Sequence, residues 1–119
     1  MKYMTFIKHT EDYRNKKPPQ ALMEAMGEFV GEAMKSGKML DGAGLKPTSD
    51  GTRVLLKGGK MTVVDGPFTE TKEIVGGFAI FELASKREAI DIAKKFMDLH
   101  KQHWPEFDGE CELRPFEDM

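Results

Sequence analysis

The sequence predicts an α+β domain in which two amphipathic helices lie against one antiparallel sheet. Three observations carry this. Two stretches with apolar residues at helical spacing, Pro19 to Lys35 and Ser85 to Met97, are flanked by short runs rich in β-branched and aromatic residues. Two further apolar runs are joined by Gly58-Gly59, the mark of a tight hairpin. The chain has 119 residues, 39% apolar and 32% charged, which is one core's worth, so a single domain over 1–119 is expected.

Taken in order, Lys2 to Lys8 (KYMTFIK) reads as a strand because Tyr3, Phe6 and Ile7 favour extended backbone. The polar segment EDYRNKKPP is a loop whose prolines open the first helix. Leu22, Met26, Phe29 and Ala33 recur at steps of four, three and four, and Met23, Val30 and Met34 widen that stripe. Gly27 and Gly31 weaken the helix by about 1 kcal/mol each and suggest close backbone packing. Ser36-Gly37 is a stop signal. Lys38 to Lys46 holds a short strand made irregular by its glycines. Thr52 to Lys57 and Lys60 to Val64 form the hairpin, and Asp65 to Gly76 is a polar loop. Gly77 to Leu83 (GFAIFEL) is a strand. Ser85 and Glu88 make an S-x-x-E capping box, ahead of the apolar face Ala89, Ile90, Ala93, Phe96 and Met97. Lys94 and Lys95 suit the C-terminal dipole, and the helix is expected to fray around His100 to His103 before Pro105. Glu110 to Arg114 alternates as a last strand. Without the hairpin the order is βαββαβ, the ferredoxin-like plan.

Composition excludes several function classes. Eighteen basic and twenty acidic side chains leave a formal net charge of −2, which gives no field for gripping nucleic acid or an anionic membrane. The basic residues of the second helix are interleaved with Glu88, Asp91 and Asp98, so they make a solvated face. The single cysteine, Cys111, cannot form an internal disulfide. No apolar run approaches the roughly 18 residues of a membrane span, and the opening apolar run is short for a signal peptide. A cytoplasmic location is the default expectation.

The sheet is expected to be apolar on both faces. In GFAIFEL, Phe78 and Ile80 oppose Ala79, Phe81 and Leu83; in KYMTFIK, Met4 and Phe6 oppose Tyr3 and Ile7. Two helices of about 15 residues cover only one such face. A homodimer with its sheets face to face is the simplest cover for the other; covering by long loops is the alternative.

The nine residues Asp65-Gly66-Pro67-Phe68-Thr69-Glu70-Thr71-Lys72-Glu73 resemble the signature of the DGPF-type branch of the YCII-related family. The start MKYM, the segment GEFVGEAMKSGKMLDGAGLKP, Gly76-Gly77-Phe78 and the ending Glu112-Leu113-Arg114-Pro115 are similar to that family as well. The resemblance implies a dimeric α+β barrel on the ferredoxin-like plan. It implies little about activity, because the family is mostly uncharacterised. The YCII branch is associated with a His–Asp pair whose histidine lies on the first helix; Pro19 to Lys35 contains no histidine, so that pair does not transfer.

The candidate site residues each carry a structural and a functional reading. Asp65 is either a turn residue, with Gly66 supplying a positive φ, Pro67 a fixed one and Phe68 a core plug, or a general base in a cleft with Glu70, Lys72 and Glu73 nearby. Glu110, Glu112 and Arg114 share one face of the last strand; Arg114 either pairs with a carboxylate or grips an anionic ligand with Glu112 beside it. His9 and His103 are candidate proton carriers, His103 being more ordinary as a solvated side chain. His100, His103, Asp108 and Cys111 fit no standard zinc spacing, so no metal site is expected. Cys111 reads as a buried, inert thiol, and the nine methionines as core filling.

Two functions follow. One is a small cofactor-independent enzyme of isomerase or lyase type, with Asp65 as base, His9 or His103 as acid, and Lys72, Glu70, Arg114 and Glu112 holding the substrate. The alternative is a non-catalytic ligand-binding or regulatory module using the same cleft. A haem site is a distant third, since no histidine reads as lying on a helix that faces a pocket.

Overall fold

The computed structural model describes residues 1–10, 16–68 and 71–117. The elements run β1 (Lys2–His9), α1 (Gln20–Lys35), β2 (Met39–Gly44), a 3-10 turn (Thr48–Asp50), β3 (Thr52–Lys57), β4 (Lys60–Asp65), β5 (Ile74–Glu82), α2 (Lys86–His103) and β6 (Glu110–Pro115). β1 pairs antiparallel with β5 on one edge and β6 on the other, and β2 closes the sheet beyond β5, giving the order β2-β5-β1-β6. β3 and β4 form a separate two-stranded sheet. The α+β, ferredoxin-like architecture is the one the sequence predicts.

Alternation along the strands decides which face the helices take. Tyr3 stands opposite Phe81 and Thr5 opposite Ala79. Tyr3, Met39, Phe81, Leu83 and Ala89 form the buried core, with Phe29, Val30, Ala33, Ile92 and Leu113 packed against it. Thr5 is buried on the same face and satisfies its hydroxyl by donating to the Ala79 carbonyl at 3.2 Å. Met4, Phe6, Phe78 and Ile80 fall on the opposite face and remain half-buried.

Local chemistry sets the element ends. Gly37 (φ 78°) closes α1, and its N–H donates to the Met34 carbonyl at 3.1 Å. Gly58 (φ 58°) and Gly59 (φ 78°) make the primed turn between β3 and β4. At α2 the Ser85 hydroxyl accepts from the Glu88 N–H at 3.2 Å, while the Glu88 carboxylate accepts from the Ala84 N–H at 3.0 Å. The capping box therefore forms, with Lys38 beside Glu88 at 3.3 Å.

Three expectations change. β5 begins at Ile74, not Gly77, because Gly76 and Gly77 belong inside the strand: a Cβ on Gly76 would stand 2.1 Å from His9 Nε2. α2 does not fray at His100 but continues to His103, held by ring contacts of Phe96 with Phe29 (5.3 Å) and with His100 (5.2 Å). Gly27 and Gly31 do not mark close packing; among the described residues nothing lies within 4 Å of a Cβ at either. No helix among the described residues is long and apolar enough to cross a membrane.

Removal of the α2 cap gives a stability test. Ser85→Ala is expected to lower the free energy of unfolding in urea by about 1 kcal/mol while leaving the m-value unchanged.

Candidate ligand cavity

Between the helix layer and the sheet lies a cavity of about 720 Å³. The sheet contributes Thr5, Ile7, His9, Ala79 and Phe81, and the helices contribute Leu22, Met26, Phe29, Phe96 and His100. Its wall is overwhelmingly apolar, with polar atoms from Thr5, His9, Lys16, His100 and Cys111. Gly42, Gly44, Gly76 and Gly77 border it on the sheet side; an added Cβ would meet nothing within 4 Å at Gly44, whereas at Gly76 the space is taken by the His9 ring.

One end is an aromatic wall. Phe107 stands between the two histidine rings, 6.2 Å from His9 and 4.9 Å from His100, and stacks with Trp104 at 5.2 Å. His100 is buried on α2, and its Nδ1 lies 3.1 Å from the Phe96 carbonyl. A carbonyl only accepts, so Nδ1 carries the proton and Nε2 of the neutral ring is an acceptor. Burial pushes the His100 pKa below its ordinary value, with the Phe96 carbonyl partly opposing this. His9 Nδ1 donates in the same way to the Thr10 carbonyl at 2.8 Å, and its Nε2 lies over Gly76. Burial pushes the Cys111 thiol up to about 11, so it is protonated and unreactive at neutral pH.

Of the candidate catalytic and substrate-binding residues named from the sequence, the cavity takes up His9; Cys111, read there as a buried thiol, also lines it. Asp65 ends β4 on the surface, its Oδ1 accepting from the Thr52 hydroxyl at 2.9 Å. Lys72 is exposed in the segment before β5, and His103 is half-buried at the end of α2. Glu70 lies outside the described residues. On β6, Cys111 and Leu113 face the helices, so Glu110, Glu112 and Arg114 face away. Glu112 is held between Lys8 and Arg114, whose Nε donates to it at 2.9 Å. Hydrogen bonds from Lys8 and then Arg114 lower the Glu112 pKa, and the same contact with Glu112 raises that of Lys8. Asp65 and Arg114 therefore do not meet in this cavity.

The DGPF loop fastens the root of the hairpin. Gly66 is not a positive-φ residue, contrary to the turn expected there. Its glycine is required by close approach: an added Cβ would stand 1.7 Å from the Thr48 carbonyl oxygen. The Gly66 N–H donates to the Gly51 carbonyl at 2.9 Å, and the Gly66–Pro67 bond is cis. Phe68 is buried, as a core plug should be, with the Arg53 guanidinium 3.8 Å above its ring.

As cavity residues, His100, Trp104 and Phe107 are not singled out in the sequence, where His100 figures only for metal and as part of a fraying helix end. A signal was present: Ala89, Ala93, Phe96 and His100 continue one helical stripe at steps of four, three and four. The expectation that no helical histidine faces a pocket is overturned by His100. Among the described residues no group of three or more His, Cys, Asp and Glu side chains is placed to hold a metal ion.

The buried histidine has a pH signature. His100 is expected to titrate below 6.5 in an NMR titration. Because its folded pKa is depressed, the stability linked to it is complete above the unfolded value and is lost as pH falls through the folded one. In His100→Phe that part of the acid dependence disappears.

The family model of the YCII-related domain matches residues 1–98. An uncharacterised protein of Rhizobium meliloti (strain 1021) is 30% identical over 101 residues, covering 85% of this chain and 77% of its own. The chain belongs to the YCII-related family.

Proposed function

We propose that this domain binds a small molecule in the cavity between its helices and sheet, a compact ligand with an apolar body and one polar end. The observation that carries this is the volume of about 720 Å³ walled by apolar side chains, with His9 and His100 converging on Phe107 at one end. Small-molecule sites have this size and this ratio of greasy wall to placed polar groups. Lys16, also on the wall, suits an anionic end group.

The enzymatic reading draws on the same two histidines. Cofactor-independent isomerisation or elimination needs a proton acceptor within reach of bound substrate. His100 Nε2, unprotonated because burial lowers the pKa, is suited to take a proton from a bound ligand and, as the imidazolium, to return it to a neighbouring atom of that ligand, with His9 at the same end of the cavity across Phe107. Asp65, bonded to Thr52 away from the cavity, acts in this scheme only on a ligand reaching the hairpin root.

The partner reading is a homodimer with sheets face to face, a dimeric α+β barrel. Met4, Phe6, Phe78 and Ile80 form an apolar centre on the face the helices leave open, edged by Lys8, Glu112 and Arg114. Light scattering at micromolar concentration should return twice the 13.4 kDa chain mass, and a monomeric mass removes this reading.

Cavity binding is tested with 1-naphthoate, an aromatic ring carrying one carboxylate. Trp104, the single tryptophan, borders the cavity and should show saturable quenching. Gly27 borders the cavity and, among the described residues, nothing lies within 4 Å of a Cβ there, so Gly27→Phe is chosen to narrow the site. At least tenfold weaker binding with unfolding temperature preserved is expected, and equal affinity in the two proteins counts against this cavity.

A further inference from the structure

The polar hydrogens of three cavity side chains are already committed to backbone. The His9 Nδ1–H faces the Thr10 carbonyl at 2.8 Å, and the Thr5 hydroxyl donates to the Ala79 carbonyl at 3.2 Å. His100 sends its Nδ1–H to the Phe96 carbonyl at 3.1 Å. In the neutral ring that leaves His100 Nε2 with a lone pair and no hydrogen. The residue is only 7% exposed, and among the described residues no donor reaches Nε2. Buried acceptors in folded proteins are almost always paired, so an acceptor held at a cavity wall calls for a donor that enters the cavity.

The surroundings of this nitrogen are aromatic. The His100 ring lies 5.2 Å from Phe96 and 4.9 Å from Phe107, and Trp104 stacks on Phe107 at 5.2 Å. These rings hold the imidazole in place, and a flat ring brought by a ligand continues the same packing.

Charge decides which donor fits. Among the described residues no Asp or Glu lines the cavity, so a cationic donor would enter an apolar site without a counter-ion. A carboxylate at His100 would set lone pair against lone pair. Burial already lowers the His100 pKa, so the imidazolium that would accept such an anion is disfavoured. A neutral hydroxyl meets neither obstacle: its hydrogen goes to Nε2 and its carbon skeleton to the rings. An anionic group elsewhere on the same ligand is matched by Lys16.

We propose that the cavity selects an aromatic ligand by a hydroxyl group, which donates a hydrogen bond to His100 Nε2 while the ring lies against the Phe107 wall. This rests on the cavity reading and goes beyond it by naming the chemistry of the ligand's polar end.

The hydroxyl binds the neutral imidazole, so affinity is complete above the His100 pKa and falls about tenfold per pH unit below it. The other titratable groups bordering the cavity are His9 on β1, Lys16 ahead of α1 and Cys111 on β6; α1, β2 and β5 bring none to it. On α2 itself Lys101 and His103 follow His100.

The test is equilibrium dialysis of the whole chain against 1-naphthol, 1-methoxynaphthalene (the same skeleton without the donor) and 1-naphthoate, between about pH 5 and 8. At neutral pH 1-naphthol should bind about tenfold tighter than 1-methoxynaphthalene. His100→Phe should erase that difference together with the loss of 1-naphthol in acid. Acid loss that survives in this variant belongs to another group, His9 first, and counts against the proposal. Long-range proton–nitrogen NMR on the unliganded wild type needs neither variant nor ligand: the His100 proton should sit on Nδ1, and a proton on Nε2 of the neutral ring overturns the proposal. If the two neutral compounds bind alike, or only 1-naphthoate binds, the hydroxyl reading fails and the cavity stands. If none of the three binds, the cavity reading falls and this one with it.

Discussion

β1 is hydrogen-bonded along both edges, to β5 and to β6, so its alternation cannot be relaxed by rotating the strand away from either neighbour. Tyr3 and Thr5 are committed to the helices, and Met4 and Phe6 to the other side. Two helices and one loop layer then have to satisfy a sheet that is apolar at the centre of both faces. That constraint fixes where the core lies, where the cavity opens and which surface is left over. The ion pairs around Glu112 decorate the open face without anchoring it, because they are solvent-screened.

Glycines set opposite large rings shape one end of the cavity. Gly76 gives the space that the His9 ring occupies, and Gly109 sits against Phe107 and the Lys8 carbonyl, where an added Cβ would meet the ring at 2.6 Å and the oxygen at 2.7 Å. His9 and Phe107 are therefore held by backbone that cannot carry side chains of its own. α2 brings His100 and Trp104 to the same end. The result is a wall of rings whose two basic nitrogens are oriented by backbone carbonyls, an arrangement that positions polar atoms without flexible side chains.

The most distinctive stretch of the sequence serves this architecture indirectly. The DGPF residues join the hairpin root to the Thr48–Asp50 turn: Gly66 by close approach, Phe68 by burial, Asp65 through Thr52. Pro47, which precedes that turn, lines the cavity. A motif that looks chemical is here the fastening between the cavity wall and the β3–β4 hairpin.

The sequence by itself determined the elements. The capping box at Ser85 and Glu88, the Gly58-Gly59 turn, the stop at Gly37 and the two-faced strands are local or periodic facts, and each appears where the residues place it. His9 at the end of β1 was legible as a candidate, but its neighbours were not. Gly76 on β5, His100 on α2 and the loop holding Phe107 and Gly109 come together around it, and a side chain's partner on another element is set by packing, which no local pattern encodes. Tertiary structure alone decided that α2 runs through His100, because the contact with Phe96 and Phe107 outweighs the weak end of the helix. It also decided that Gly66 is a matter of proximity to Thr48 rather than of dihedral angle, since close approach depends on where a distant carbonyl comes to rest.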